Sequence, residues 1–273
     1  MIKHINIKIL SCVFAASLYA LAAPAIAAED YDAGLDAYNN GAFAEAARIW
    51  QPLADAGDAK AQFSLGVMHE DGRGVREDLR AAIALWRKAA SQDYAPALHN
   101  LAMLHIAGDG LPQNLALARS YLEKAQPGGS VRTLYNLAKM YLEGLGGPAN
   151  KPAAFALMLR AGEMGFAKAQ YNLGKMYRDG EGIHRDLVAA AAWFTRSAEQ
   201  NYAPAQNHIG NRYLRGEGVG RDDLLGLSWL TLAARNGHAG ASERLETLRK
   251  ELPADLFAEA ESRADAFTKS LKP

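Results

Sequence analysis

The sequence predicts an all-α protein, an α-solenoid of stacked antiparallel helix pairs that ends in a C-terminal capping helix. Two observations carry this prediction. One pattern recurs at a constant spacing of 36 residues, and each copy holds two helix-like apolar stretches separated by a pair of glycines. The chain has 273 residues with 30 basic and 30 acidic side chains. The formal net charge is zero, so charge alone does not favour nucleic acid or an anionic membrane as a partner.

Residues 1–27 are predicted to be a cleavable signal peptide. Lys3 and Lys8 give a basic start, a mostly apolar run follows over residues 9–21, and Ala25-Ile26-Ala27 forms a small-residue cleavage pattern. An uncleaved anchor is the alternative, although the run is short of the roughly 20 residues that a membrane span needs. Cys12 is the only cysteine, and its lipidation is a further alternative. The cleaved chain would be periplasmic or secreted, without disulfides or thiolate metal sites.

After the signal peptide, residues 28–58 are predicted to form a degenerate helical repeat with a shortened loop. The tandem 36-residue repeats follow over residues 59–252, and residues 253–273 are predicted to cap the open end of the stack. Position one of the five complete copies is occupied by Ala61, Ala97, Thr133, Ala169 and Ala205. The capping helix carries its apolar stripe at Leu256, Ala260, Ala264, Phe267 and Leu271.

In the first helix of each unit, large apolar residues recur four residues apart, as Leu173 and Tyr177 do. A small residue follows the leucine or isoleucine at position five. We expect it to let the partner helix approach closely, which would offset the cost of about 1 kcal/mol of a glycine in a helix. The small residues are Gly66, Ala102, Ala138, Gly174 and Gly210.

A pair of glycines then ends the first helix, because glycine tolerates the positive φ that a tight helix-ending turn requires. The pairs are Gly72/Gly74, Gly108/Gly110, Gly144/Gly146, Gly180/Gly182 and Gly216/Gly218. An aspartate or asparagine follows and is predicted to cap the second helix. These caps are Asp78, Asn114, Asn150, Asp186 and Asp222.

The second helix of each unit carries a small residue early and large apolar residues after it. It is expected to stop at a residue that readily adopts the left-handed conformation. The stop residues are Asp93, Gly129, Gly165, Asn201 and Gly237.

This combined pattern resembles the Sel-one-like repeat family, which is related to the tetratricopeptide repeat. The resemblance covers residues 59–252 strongly and residues 31–58 weakly. It implies a right-handed superhelix of helix pairs that serves as an adaptor surface for other proteins, commonly periplasmic in secreted bacterial members. Some members carry paired cysteines in each repeat, and this chain does not.

The glycine loops do not predict a nucleotide site. A dinucleotide fingerprint needs a strand before the loop and a third glycine, and a P-loop needs Gly-Lys-Ser/Thr, none of which is present. His69 and His105 occupy a position that is tyrosine in the other repeats, so we interpret them as packing variants and not as metal ligands. We find no residue that stands out from the repeat pattern as an unexplained deviation. The sequence therefore predicts no catalytic, cofactor or metal site.

Positions four, seven and eleven of the first helices are left over after the structural positions are removed, and they lie on one face. We expect them to line a concave groove and to bind a partner: asparagine can satisfy a peptide N–H and C=O together, and lysine suits a carboxylate. The predicted partner-binding residues are Asn100, Met103, Asn136, Lys139, Asn172, Lys175, His208, Asn211 and Arg215. In the alternative, the asparagines bond the neighbouring unit and the lysines are only solvated.

The sequence thus predicts a non-catalytic periplasmic adaptor that binds a protein or peptide, with no nucleic acid and no membrane insertion after signal cleavage. Two alternatives stay open at this point. One is a hydrolase acting on the cell wall or a β-lactam, and the other is a purely structural, self-assembling protein.

Overall fold

The computed structural model describes residues 23–270, with side chains from Tyr31 to Lys269. Cys12 and most of the predicted signal peptide lie outside the described residues. Within the described part there are fourteen α-helices, one 3₁₀ turn at Gln126–Gly128 and no strand. The helices are α1 (Ala23–Asn39), α2 (Phe43–Asp55), α3 (Ala59–Asp71), α4 (Leu79–Ala90), α5 (Ala95–Ala107), α6 (Leu115–Ala125), α7 (Val131–Glu143), α8 (Lys151–Glu163), α9 (Ala167–Asp179), α10 (Leu187–Ala198), α11 (Ala203–Arg215), α12 (Asp223–Arg235), α13 (Ala239–Leu248) and α14 (Ala254–Ser270).

The chain forms two compact units, one ending at Ala97 and the other beginning at Leu98. In the first unit α1 packs on α2, α2 on α3 and α3 on α4. In the second unit the same consecutive packing runs from α6 to α13. The prediction of an all-α solenoid built from successive helix pairs is confirmed.

The predicted start and stop residues of the helices are largely confirmed. Asp186 Oδ1 accepts hydrogen bonds from Val188 N and Ala189 N, both at 2.9 Å, and the other four predicted caps bond their helices in the same way. Gly180 ends α9 at φ 72°, in the left-handed region. Gly129 is the exception: its φ is −79°, because the 3₁₀ turn already ends α6 and Gly129 continues as extended backbone.

The two glycines of each loop have different tasks. A Cβ atom on Gly180 would meet ordinary contacts, the nearest at 3.5 Å, so this glycine serves its backbone conformation. A Cβ atom on Gly182 would lie 2.6 Å from the carbonyl carbon of Lys151, at the start of the preceding unit's second helix. Gly146 and Gly218 approach the corresponding carbonyls of Leu115 and Leu187. The second glycine therefore lets one repeat contact the backbone of the repeat before it.

The small residue at position six makes room for a large side chain from the second helix of its own unit. A Cβ atom on Gly66 would lie 2.6 Å from Trp86 Cδ1, and one on Gly174 would lie 2.6 Å from Phe194 Cδ1. Where position six is Ala138, the facing position holds the narrower Met158. In these two units glycine occurs because the aromatic ring fills the space of a Cβ atom. At Gly210 the partner helix itself approaches as expected, since a Cβ atom there would lie 2.9 Å from the backbone oxygen of Gly226.

A buried glutamine at position two links successive helices in three repeats. Gln170 Nε2 donates to Gly162 O at 3.0 Å, and Gln170 Oε1 accepts from Gln200 Nε2 at 2.7 Å. Gln206 repeats the arrangement with Ala198 O and with Asn236 Nδ2. Because buried amides are costly without partners, these reciprocal bonds are what allows glutamine in the core.

Helix α14 covers the last apolar surface of the second unit. Its residues Ala260 and Ala264 are fully buried, and Phe267 stacks on Trp229 of α12 with ring centroids 4.9 Å apart. An ion pair of 2.7 Å between Arg235 and Asp265 joins α12 and α14. The predicted domain boundaries, including residues 253–273 as a cap, stay a prediction.

Candidate functional site

The predicted partner-binding residues lie in the second unit, on the first helices α5, α7, α9 and α11 of successive repeats. We call their positions four, seven and eleven the ladder face. Exposure rises along each helix: position four is half-buried in every copy, and position eleven is exposed in every copy. The face is therefore open to solvent toward the C-terminal end of each first helix.

Two of the asparagines at position four, Asn136 and Asn172, contact the preceding repeat through their amide nitrogens, and Asn172 also bonds its own helix. Asn136 Nδ2 donates to Met103 Sδ at 3.3 Å. Asn172 Nδ2 donates to Lys168 O at 2.8 Å and to Tyr135 Oη at 3.4 Å. Neither Oδ1 atom accepts a hydrogen bond from a described residue. The arrangement fixes the orientation of each amide and leaves its acceptor available.

The lysines at position seven differ in their surroundings. Lys139 is exposed and lies 3.9 Å from Glu143, an ordinary i,i+4 ion pair that contributes little to stability. Lys175 is half-buried, with its Nζ atom 5.9 Å from the ring centroid of Tyr171. Among the described residues, no carboxylate lies within ion-pair distance of Lys175.

Aromatic side chains at position three border the ladder face, and the sequence reasoning missed them. Tyr135 packs edge-on against Phe166 at 5.2 Å, and Tyr171 packs in the same way against Tyr202 at 5.4 Å. Burial raises the pKa of Tyr135 and of Tyr171, so both hydroxyls stay protonated at neutral pH and can donate a hydrogen bond. The signal was in the sequence, since position three of the five repeats reads Phe63, His99, Tyr135, Tyr171 and Asn207.

His208 holds position four of the last complete repeat, where three other copies have asparagine. Its ring stacks on Phe194 at 4.9 Å with an interplanar angle of 7°, and lies 5.5 Å from the ring of Tyr171. Burial, followed by the charges of Arg178 and Arg212, lowers the pKa of His208 to about 4. The imidazole is therefore neutral at physiological pH.

Arg212 contradicts the expectation that no residue departs from the repeat pattern. It occupies position eight, where the other four copies place buried apolar side chains: Met68, Leu104, Met140 and Met176. Arg212 is only 3% exposed, and its Nε atom has no hydrogen-bond partner among the described residues. Aligning the five copies at position eight would have revealed it.

The guanidinium of Arg212 is partly compensated by its neighbours. Nη1 donates to Glu217 O at 3.2 Å and lies 3.8 Å from the Glu217 carboxylate, and the guanidinium lies 5.3 Å from the Phe194 ring centroid. Burial nevertheless lowers the pKa of Arg212, and the charge of Arg178 acts in the same direction. The last complete repeat thus carries a buried cation beside other cations.

The histidines at position nine have a structural place. His69 Nδ1 lies 3.1 Å from Arg76 O, and His105 Nδ1 lies 3.0 Å from Pro112 O. Since a carbonyl oxygen only accepts, Nδ1 carries the proton in both rings and ties the loop to the helix.

Within residues 31–269 no three potential ligands cluster in a way that could hold a metal ion. In the described part of the chain, every helix is too short or too polar to cross a bilayer.

Comparison with known proteins identifies the repeat pattern. The model of the Sel1 repeat matches residues 59–94, 95–125, 131–166, 167–202 and 203–238. A solved structure of a protective antigen from uropathogenic Escherichia coli, described as displaying an SLR fold, is 27% identical, with a TM-score of 0.73 over 82% of this chain and 48% of that chain. This chain therefore spans about half the length of that protein.

A second solved structure, a Sel1 repeat protein from Oxalobacter formigenes, has a TM-score of 0.74 at 24% identity. The match covers 89% of this chain and 97% of that chain, and it shows the fold alone. No curated protein sequence matches the chain.

Proposed function

The chain belongs to the Sel1 repeat family, and on that premise we propose that it is a non-catalytic adaptor that binds an extended segment of a partner protein on the ladder face. Sel1 repeat proteins generally mediate protein–protein interaction and are generally non-catalytic scaffolds. Beyond this family role, we propose a binding face, a kind of partner segment and a compartment for this chain. The groove and its nine partner-binding residues belong to this proposal.

One observation carries it: Asn136 and Asn172 recur at one position, with Nδ2 held by the preceding repeat and Oδ1 without a partner among the described residues. An extended peptide exposes backbone N–H groups that such oxygens can accept. Because the amides are already oriented, binding would order few side chains, which lowers the entropic cost of association.

The bordering aromatic side chains support a protein partner. Tyr135 and Tyr171 stand beside the two asparagines, and tyrosine is enriched at protein interfaces because it combines apolar area with a hydroxyl group. Met103 adds an adaptable apolar contact at the α5 end of the face. The same face thus offers apolar area and directed hydrogen-bond acceptors.

We also propose that the protein acts in the periplasm or is secreted. The basic start, the apolar run and the Ala25-Ile26-Ala27 pattern support export with signal cleavage. Determining the N-terminal residue of the protein purified from the envelope fraction tests this: a start near Ala28 agrees with it, and a start at Met1 contradicts it.

The adaptor proposal is tested by crosslinking in intact cells followed by mass spectrometry. Replacing Asn136, Lys139, Asn172 and Lys175 by alanine should abolish crosslinked partners, because it removes the amides and the cations of two adjacent repeats. Helical content and melting temperature should stay close to those of the wild type, since these side chains are outside the core.

A matched control replaces exposed residues on the second helices, Lys124→Ala and Arg160→Ala, and should retain the partners. Undiminished capture by the quadruple variant would show that the ladder face is not the binding site. Turnover of peptidoglycan or of a chromogenic β-lactam by the purified protein would contradict the non-catalytic assignment.

A further inference from the structure

The charges on the ladder face are not evenly distributed. Helix α5 carries no Asp, Glu, Lys or Arg, and on α7 Lys139 is balanced by Glu143. Around α9 and α11, four cations lie near two carboxylates, and the neighbouring Glu181 is already paired with Lys151. This leaves at least two positive charges in excess. The cations are Lys175, Arg178, Arg212 and Arg215, and the carboxylates are Asp179 and Glu217. We call these six residues the cationic end.

The members of the cationic end are close enough to influence one another. Arg178 donates a hydrogen bond to each carboxylate oxygen of Asp179, from Nε to Oδ1 at 2.7 Å and from Nη2 to Oδ2 at 2.6 Å. Glu217 is shared, since Arg212 lies 3.8 Å and Arg215 3.6 Å from its carboxylate oxygens. Each carboxylate is thus already occupied by arginine, and Lys175 has no carboxylate partner among the described residues.

Arg212 is the unusual member, because it buries a cation where the other repeats bury methionine or leucine. Burying a charge with incomplete compensation costs stability, and replacing it with a well-packed apolar residue is often neutral or stabilising. The unpartnered Nε atom shows that the compensation is incomplete. The repeat pattern itself offers the apolar solution, so the fold does not require this arginine.

From this arrangement we propose that the cationic end binds an acidic segment of the partner, through carboxylate side chains of Asp or Glu. The inference rests on the proposed function, because it names the chemistry of the segment that the ladder face would hold. The half-buried Lys175 and the exposed Arg215 supply the donors, and 60% of the Arg215 side chain is accessible. Arg212 acts from beneath as a positioning residue, adding positive potential that little solvent screens.

The proposal also predicts how the bound segment is oriented along the ladder face. Its acidic part would lie over α9 and α11, and its uncharged part over α7 and α5, where the face offers Asn136, Met103 and Asn100. Charge complementarity of this kind contributes to specificity and to the rate of association.

The test measures binding of fluorescein-labelled, C-terminally amidated peptides of about ten residues by fluorescence anisotropy, at about 50 mM salt, where the Debye length is still above 10 Å. One peptide alternates Glu with Ala, and its control alternates Gln with Ala. The glutamate peptide should bind and the glutamine peptide should bind at least about tenfold more weakly, which corresponds to about 1.4 kcal/mol.

Three variants locate the interaction. Lys175→Gln and Arg215→Gln should each weaken binding of the glutamate peptide about three- to fivefold, as exposed ion pairs do. Arg212→Met should weaken it by a similar factor while the melting temperature stays the same or rises. Arg160→Gln, an exposed arginine on α8, is the matched control and should bind like the wild type.

A lower melting temperature of Arg212→Met with unchanged peptide binding would assign Arg212 to structure alone and overturn its positioning role. Equal binding of the two peptides would overturn the acidic preference and leave the adaptor proposal standing. If neither peptide binds, the cationic end does not hold acidic segments, whereas crosslinked capture in cells still decides the adaptor proposal separately.

Discussion

At the scale of single residues, the repeat pattern predicted roles best where the backbone demands one residue type. The capping aspartates and the left-handed glycines could be read from the sequence because each follows from an unpaired backbone group or a positive φ. The roles of Asn172 and Tyr135 could not, since a half-buried polar side chain has several partners within reach. Arg212 was missed for another reason. A repeat pattern is defined by the residues that its copies share, and an arginine at position eight occurs in one copy only.

His208 provides a prediction about pH. Its pKa is about 4 in the folded protein and 6.5 in an unfolded chain, so the unfolded state binds the proton more tightly. The stability contributed by the neutral ring is fully present above pH 6.5 and is lost as the pH falls toward 4. The loss amounts to at most about 3.5 kcal/mol, since the two pKa values differ by about 2.5 and one pKa unit corresponds to about 1.4 kcal/mol.

Urea unfolding at pH 7.0 and pH 4.5 measures this loss. His208→Asn, which installs the residue of the other repeats, should reduce the difference in unfolding free energy between the two pH values. Exposed His184→Asn serves as the control and should leave the difference unchanged. Equal pH dependence of His208→Asn and the wild type would contradict the assignment.

At the scale of elements, the sequence predicted the helix pairs and their order but not the way in which they touch. The Gly-x-Gly loop looked like one feature, whereas its first glycine ends a helix and its second contacts the preceding repeat. Likewise glycine at position six matches the aromatic ring that faces it in two of the units, as Gly174 matches Phe194. These are contacts between segments distant in the sequence, and a local pattern does not specify them.

The two glycines of one loop should therefore differ in their tolerance of asparagine. Gly180→Asn should cost about 1 kcal/mol, because asparagine adopts the left-handed conformation at a small penalty and its Cβ atom meets no close contact. Gly182→Asn should cost at least about 3 kcal/mol, because its Cβ atom would overlap the Lys151 backbone and force the two repeats apart.

Chemical denaturation of the two variants gives both values, and the pair controls itself because the substitution and the left-handed conformation are the same. Equal losses of stability would show that backbone conformation alone decides the second position, and that the contact with Lys151 is unimportant.

At the scale of the whole chain, the sequence predicted the fold class and the presence of five repeats well, because five copies report the same structure independently. The surface was predictable only in part. Position eleven of the first helices is exposed and position four is half-buried, whereas the aromatic border and the cationic end depend on which residue each individual repeat carries. Comparing the five copies makes the prediction of the shared helical framework more certain. The same comparison hides the differences between copies on which partner recognition depends.

The end of the second unit offers a prediction at this scale. Deleting residues 253–273 removes Phe257, Ala260, Ala264 and Phe267 from their packing and uncovers Trp229 on α12. The loss should reach about 3 kcal/mol or more, since burial of Phe257 alone contributes about 1.5–3 kcal/mol and the half-buried Phe267 and the two alanines add to it. The truncated chain should melt earlier and self-associate in light scattering, because an open end of a repeat stack exposes apolar surface.

An exposed substitution on the same helix, Glu259→Ala, controls for changes in α14 itself and should behave like the wild type. If the truncated chain stays monomeric with an unchanged melting temperature, α14 does not protect the end of the stack.

The backbone contacts of Gly146, Gly182 and Gly218 have a consequence for how such a protein can change over time. Three contacts between successive repeats of the second unit pair a glycine with a main-chain carbonyl, and neither group depends on the outward-facing side chains. Mutations on the ladder face can therefore alter specificity without disturbing the spacing of the repeats. Whole repeats should therefore be exchangeable between related chains, provided that the incoming repeat keeps the second glycine of its loop.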